Sequence, residues 1–153
     1  MAESNYHHGD LKNALIAAGV EILAHEGIAS LSLRSVARRA GVSHSAPYAH
    51  FSDKQALIAA ISTEGFRHLY SQLDTTLNEH SSEPGRQLVA CGLAYMRFAL
   101  NERDIFKIMF SGVLEQEKDY VDFVEISQAT FQLLVKVVGA CQEIGRASCR
   151  ERV

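Results

Sequence analysis

An all-α fold is predicted from three observations. Two prolines and ten glycines are few punctuators for 153 residues. Apolar residues recur at three- and four-residue steps along most of the chain, and the one short run of period two has no second strand to pair with. Composition agrees with a folded globular chain: 47% of residues are apolar and 22% charged. The length suggests one domain or two small sub-domains. Fifteen Lys and Arg against eighteen Asp and Glu leave a net charge of −3, which excludes a uniformly basic, histone-like chain but permits a local basic face. No uninterrupted apolar run reaches the roughly 18 residues of a bilayer span. The opening MAESNYHHGD lacks the apolar stretch of a secretory signal. A cytoplasmic location without a membrane partner is therefore expected. Cys91, Cys141 and Cys149 are odd in number, widely spaced and free of any Cys-x-x-Cys, so reduced thiols are expected rather than disulfides or a zinc site.

Leu11, Leu15, Ala18 and Ile22 form one helical face, which places a first helix at about 10–26, with Asp10 as N-cap and Gly27 as its left-handed end. Residues 28–34, IASLSLR, alternate like a strand, but without a partner they are assigned as a connector whose Leu31 and Leu33 plug the core. A second helix then starts at Ser32. The next long helix, about 53–79, opens at SDKQ, with Ser52 or Asp53 as cap and Leu57, Ile61, Leu69, Leu73 and Leu77 on one face. HSSEPG is a turn, and Pro84 suits the first turn of a helix that runs to about 102. DIFKIMFS is a short apolar helix ending near Gly112. A final helix is expected over about 116–142.

The stretch from Ser32 to Phe51 is the informative one. It is expected to read helix, tight turn, helix: Val36 and Ala37 face inward, Gly41 takes the positive-φ turn, Val42 fills the angle, Ser43 caps a second helix over about 44–50, and Phe51 closes the core. A helix about 10 Å long suits a major groove about 12 Å wide. Its exposed side chains would be His44, Ser45, Tyr48 and His50. Arg34, Arg38, Arg39 and Lys54 meet a single acid, Asp53, so this window is +3 in an acidic chain, the footprint expected for phosphate binding. The same residues could instead form an αα-hairpin inside a bundle, with the arginines on a solvated face. No carboxylate or cysteine stands at helical spacing to both His44 and His50, so no metal is expected there.

The run from Leu11 through Ile61, with its first helix ending in EG, LSLRSVARRAGVS, the Tyr48-x-His50-Phe51 cluster, Asp53-Lys54 and Leu57, resembles the N-terminal domain of the TetR family of transcriptional regulators. YHHGDL, AYMRFAL and FKIMFSG resemble one subgroup of it. The resemblance implies a three-helix DNA-binding domain over 8–68, its helix-turn-helix at 32–51. A long fourth helix would join this domain to a partial effector-binding and dimerisation bundle at 69–143. It implies base-edge contacts from Ser43, His44 and Ser45, and phosphate contacts from Tyr48, His50, Lys54 and Ser32, with Arg34 nearby. Ala49 departs from the Arg or other polar residue many members carry, which removes one expected contact.

What the resemblance implies about function is a dimeric repressor released from a palindromic double-stranded DNA operator by a small-molecule effector. Phe66, Tyr70, Tyr95, Phe98, Phe106, Met109 and Phe110 would line the effector pocket, although an aromatic and Met stripe at helical spacing is also how an ordinary core looks. The alternative is a small-molecule-binding protein with a vestigial DNA unit. An enzyme is not expected: there is no Ser-His-acid order, glycine-rich phosphate loop or His-x-x-x-His motif, and no cofactor is implied. Residues 144–153, IGRASCRERV, abandon the apolar stripe and look like a translated sequencing adapter. They are expected to be a non-native tail on a shortened chain whose dimerisation is impaired, with the apolar faces of 85–100 and 116–142 uncovered; the coding DNA tests this.

Overall fold

The structure, a computed structural model, describes residues 8–79 and 83–150, with side chains over 11–79 and 83–143. Among the described residues there are six α-helices and no strand: α1 (His8–Glu26), α2 (Leu33–Arg39), α3 (Lys54–Glu79), α4 (Pro84–Asn101), α5 (Arg103–Met109) and α6 (Val121–Arg150). Short 3₁₀ helices at Ile28–Ser30, Ala46–Ala49 and Glu117–Asp119 join them. The long α3 is the spine. It packs against α1 near its start and against α4, α5 and α6 further along, and Leu57, Ile58, Ile61, Leu69 and Leu73 are sealed from solvent.

Local chemistry explains the boundaries. Gly27, at φ 77°, ends α1, its N–H donating to the Ile22 and Leu23 carbonyls at 3.1 and 3.3 Å. The period-two segment is indeed a connector: Ile28–Ser30 is one 3₁₀ turn, after which Leu31 and Leu33 enter the core. Ser32 precedes α2 as N-cap, in a reciprocal box in which its hydroxyl accepts from the Ser35 N–H and the Ser35 hydroxyl accepts from the Ser32 N–H. α1 begins two residues before Asp10, so Asp10 lies in its first turn rather than at its cap. Asp53, not Ser52, caps α3: its Oδ1 accepts from the Ala56 N–H at 2.8 Å.

Two glycines set how closely helices approach. A Cβ on Gly19 would stand 2.8 Å from the tip of Ile61, at the crossing of α1 and α3. A Cβ on Gly65 would stand 2.5 Å from both Ile105 and Met109, so α5 lies directly on α3 there. The last helix differs from its expected 116–142 at both ends. Gln116 adopts a left-handed conformation at φ 48°, a 3₁₀ turn follows, and α6 starts only at Val121 and continues to Arg150. The non-native tail expected at 144–153 lies outside the described side chains. Val121–Glu143 is long and apolar enough to cross a bilayer by length and composition, but the segment is amphipathic, and Phe123, Leu133 and Val137 are buried in the core.

Candidate nucleic-acid interface

The turn after α2 is a Schellman motif. Gly41, at φ 70°, donates to the Arg38 carbonyl at 3.3 Å, and Val42 donates to the Ala37 carbonyl at 3.0 Å. This closes the helix in two residues and throws the chain outward. The next segment is shorter than the expected helix over 44–50: a four-residue 3₁₀ helix, Ala46–Ala49, flanked by turns. Pro47 is the reason. It has no N–H to reach the Ser43 carbonyl, and its ring disfavours α geometry at Ala46. The bonds therefore run three residues back, Ala46 to Ser43 at 3.0 Å and Tyr48 to Ser45 at 3.2 Å. Ser45, not Ser43, stands at the N-cap, without a side-chain cap bond; the Ser43 hydroxyl lies 3.2 Å from the Ser45 hydroxyl.

The segment stands on a buried base and presents a polar tip. Pro47 and Phe51 are buried beneath it, whereas Ser43, His44, Ser45 and Ala49 are exposed and Tyr48 is 56% exposed. His50 is half-buried, its ring tilted against Phe51 at 6.3 Å. Hydroxyls and an imidazole on a narrow tip can donate to and accept from base edges.

The cations around the tip have divided tasks. Arg39 is paired to Glu21 and Glu26 on α1. The Lys54 ammonium donates to the Ile28 carbonyl at 2.9 Å and so ties α3 to the α1–α2 connector; two of its three donors remain. Arg34 and Arg38 are exposed, and among the described residues neither has an ion-pair partner. The Ser32 hydroxyl is engaged with Ser35. Sequence spacing could not tell which of these charges are spent inside the fold.

The seven residues expected around an effector are mostly one packed cluster. Phe66, Tyr95, Phe98, Phe106 and Phe110 are linked ring to ring at centroid separations of 4.8 to 6.5 Å. Met109 is buried against Gly65, and Tyr70 lies half-buried on α3. Phe123 joins the cluster through Phe66 at 5.6 Å, a role its place in the apolar stripe of α6 did not distinguish. Burial raises the pKa of the Tyr95 phenol. A cleft of about 380 Å³ opens elsewhere, between α1, the exit of the 3₁₀ segment, α3 and the start of α6, with Lys12, His50, Thr63, Arg67, Tyr120 and Phe123 in its walls. None of the seven lines it. Among the described residues no group of His, Cys, Asp and Glu could hold a metal ion.

Residues 15–61 match the N-terminal model of the bacterial regulatory proteins of the tetR family. A solved protein of unknown function from Rhodococcus sp. RHA1 is 35% identical, with a TM-score of 0.76 over 94% of this chain and 73% of that one. A bacterial regulatory protein in the tetR family from Rhodococcus RHA1 is 20% identical, with a TM-score of 0.74 over 88% of this chain and 71% of the other. The TetR family transcriptional regulator PfmR of Thermus thermophilus is 18% identical, with a TM-score of 0.70 over 86% and 71%. No curated protein sequence matches the chain. The projecting tip on a helix-turn-helix scaffold and these likenesses define a DNA-binding transcriptional regulator. The chain belongs to the tetR family.

Proposed function

We propose that the protein is a ligand-responsive repressor that acts in the cytoplasm as a homodimer and leaves a palindromic operator when a small molecule binds. The observation that carries this reading is the exposed tip Ser43–Ala49 raised on buried Pro47 and Phe51. Ser43, His44 and Ser45 would address base edges. Arg34, Tyr48, His50, Lys54 and Ser32 would hold the phosphates. In this reading residues 8–68 bind DNA and 69–143 regulate.

The aromatic cluster supports an apolar effector. A ligand would enter at Phe110, which is 52% exposed while Tyr95 and Phe106 are half-buried and Phe66 and Phe98 buried, and would part the rings to be seated. Dimerisation is supported by two apolar stripes. Val89, Leu93, Met96 and Leu100 on α4 are exposed at helical spacing, as are Phe131, Val135 and Val138 on α6. The two helices pack together, the Cys141 thiol near the end of α6 lying 3.0 Å from the Pro84 carbonyl at the start of α4.

The test is selection of a duplex from a random pool, followed by affinity across salt and by sedimentation of the complex. A recovered palindrome bound by two copies, with an affinity that falls steeply as salt rises, is expected. Recovery of no preferred sequence sinks the proposal.

A further inference from the structure

We infer that Gln55 is a positioning residue for DNA reading: its carboxamide fastens the loop between α5 and α6 to the first turn of α3, and so holds the reading segment in register with the rest of the bundle. This rests on residues 43–51 being the DNA-reading element.

The Gln55 Nε2 donates to the Val113 carbonyl at 3.3 Å, and its Oε1 accepts from the Glu115 N–H at 3.1 Å. A carbonyl needs a donor and an N–H needs an acceptor, so these partners fix the orientation of the amide. One side chain thus pairs with the loop backbone on both of its edges, across about 60 residues of sequence. Among the described residues no other side chain of α1–α3 hydrogen-bonds to residues 112–116.

The loop is built to pass on movement rather than absorb it at this point. Gly112 (φ 67°) and Gln116 (φ 48°) bend the chain on either side, while Leu114 between them is buried. The loop runs directly on from α5, which is seated on α3 at Gly65. On the other side, Gln55 is the last of three consecutive fasteners. Asp53 caps α3, Lys54 grips the Ile28 carbonyl, and Gln55 grips the loop. Phe51, the end of the reading segment, lies two residues before Asp53. A shift of α5 therefore reaches the reading segment through Gln55, while Lys54 holds the start of α3 to the α1–α2 connector.

The test uses a duplex selected on the wild-type protein. Gln55→Met keeps the bulk and removes both bonds; Glu115→Pro removes the N–H at the other end. Each is expected to weaken binding about tenfold, to leave the slope of log affinity against log salt unchanged, and to speed amide exchange at Tyr48 and His50. The double variant should bind no more weakly than either single one. If only Gln55→Met weakened binding, Gln55 would be touching DNA itself and the inference would be overturned. Additive losses, or unchanged exchange at Tyr48 and His50, would overturn it equally. Failure of the wild-type chain to select any duplex refutes the DNA-reading assignment, and the inference with it.

Discussion

Replacing Gly65 with alanine tests how tightly α5 is seated on the spine. In the interior of a helix, Gly→Ala by itself stabilises by about 1 kcal/mol, because glycine has more backbone freedom to lose. At Gly65 the added methyl would meet Ile105 Cγ2 and Met109 Sδ, each at 2.5 Å. Ile105 Cγ2 sits on a branched Cβ, and Met109 is met at Sδ and Cγ rather than at its far end, so neither clears the methyl by turning its tip and α5 itself has to give. Overpacking of this kind costs about 1–3 kcal/mol, and two simultaneous overlaps place Gly65 near the upper end. Subtracting the propensity gain leaves a net loss of about 2 kcal/mol, or about 4–8 °C in Tm for a chain of this length. Gly92→Ala is the control. It lies in the interior of α4, is exposed, and has nothing within 4 Å of its added Cβ, so it should gain most of the 1 kcal/mol. Thermal unfolding followed by circular dichroism reads both. A Gly65→Ala protein as stable as Gly92→Ala would refute the close seating of α5.

Other outcomes rest on the same geometry. Gly41→Ala places a side chain at φ 70° with open space around it, so the loss, about 1–2 kcal/mol, is purely conformational; an unchanged urea midpoint would contradict the Schellman turn. Arg34→Ala and Tyr48→Ala should weaken binding to every duplex, the first also flattening the salt dependence by about one charge; His44→Ala should instead change which sequence is preferred, as repeated selection would reveal. Lys54→Ala should lower Tm as well as flatten the salt slope, since its ammonium holds the Ile28 carbonyl; a Tm equal to wild type would show that tether to be idle. Burial raises the pKa of Cys91 and Tyr95. Tyr120 is raised by burial first and then by Asp53, Asp119 and Glu115. Below their ordinary pKa values both states keep these protons, so stability is flat there. From about pH 9 upward the unfolded chain sheds protons that the fold retains, and stability falls. Urea midpoints that stay level from neutral to strongly alkaline pH would contradict this.

Much of the architecture is legible in the sequence because periodicity and caps report directly on helices. The four-residue step through Leu57, Ile61, Leu69 and Leu73 locates α3, and Leu31 enters the core from the connector while Leu33 does so from the first position of α2. Pro47 is visible, but its position alone understates its effect. A ring in the first turn is harmless in a long helix, yet here the missing N–H and the constraint on Ala46 leave only a 3₁₀ turn. α6 starts later than its apolar stripe implies because Gln116 adopts a left-handed conformation that no glycine signals. Gln55 is illegible, since its partners are backbone groups of Val113 and Glu115 and backbone groups look alike in any sequence. Likewise the +3 window does not show that Arg39 is committed to Glu21 and Glu26.

The brevity of the Ala46–Ala49 turn limits how much information the protein can extract from a chromosome. If the three tip side chains proposed to address bases read one base pair each, they distinguish about 64 triplets, whereas a genome presents roughly 10⁶ or more competing sites. In the proposed dimer, two copies on two half-sites would raise the vocabulary to about 4,000 words, still too few to name one promoter among so many. The remainder of the address has to be written in the stiffness and groove width of the DNA between and around the half-sites, so the spacer of its operator should be as constrained in composition as the bases it touches.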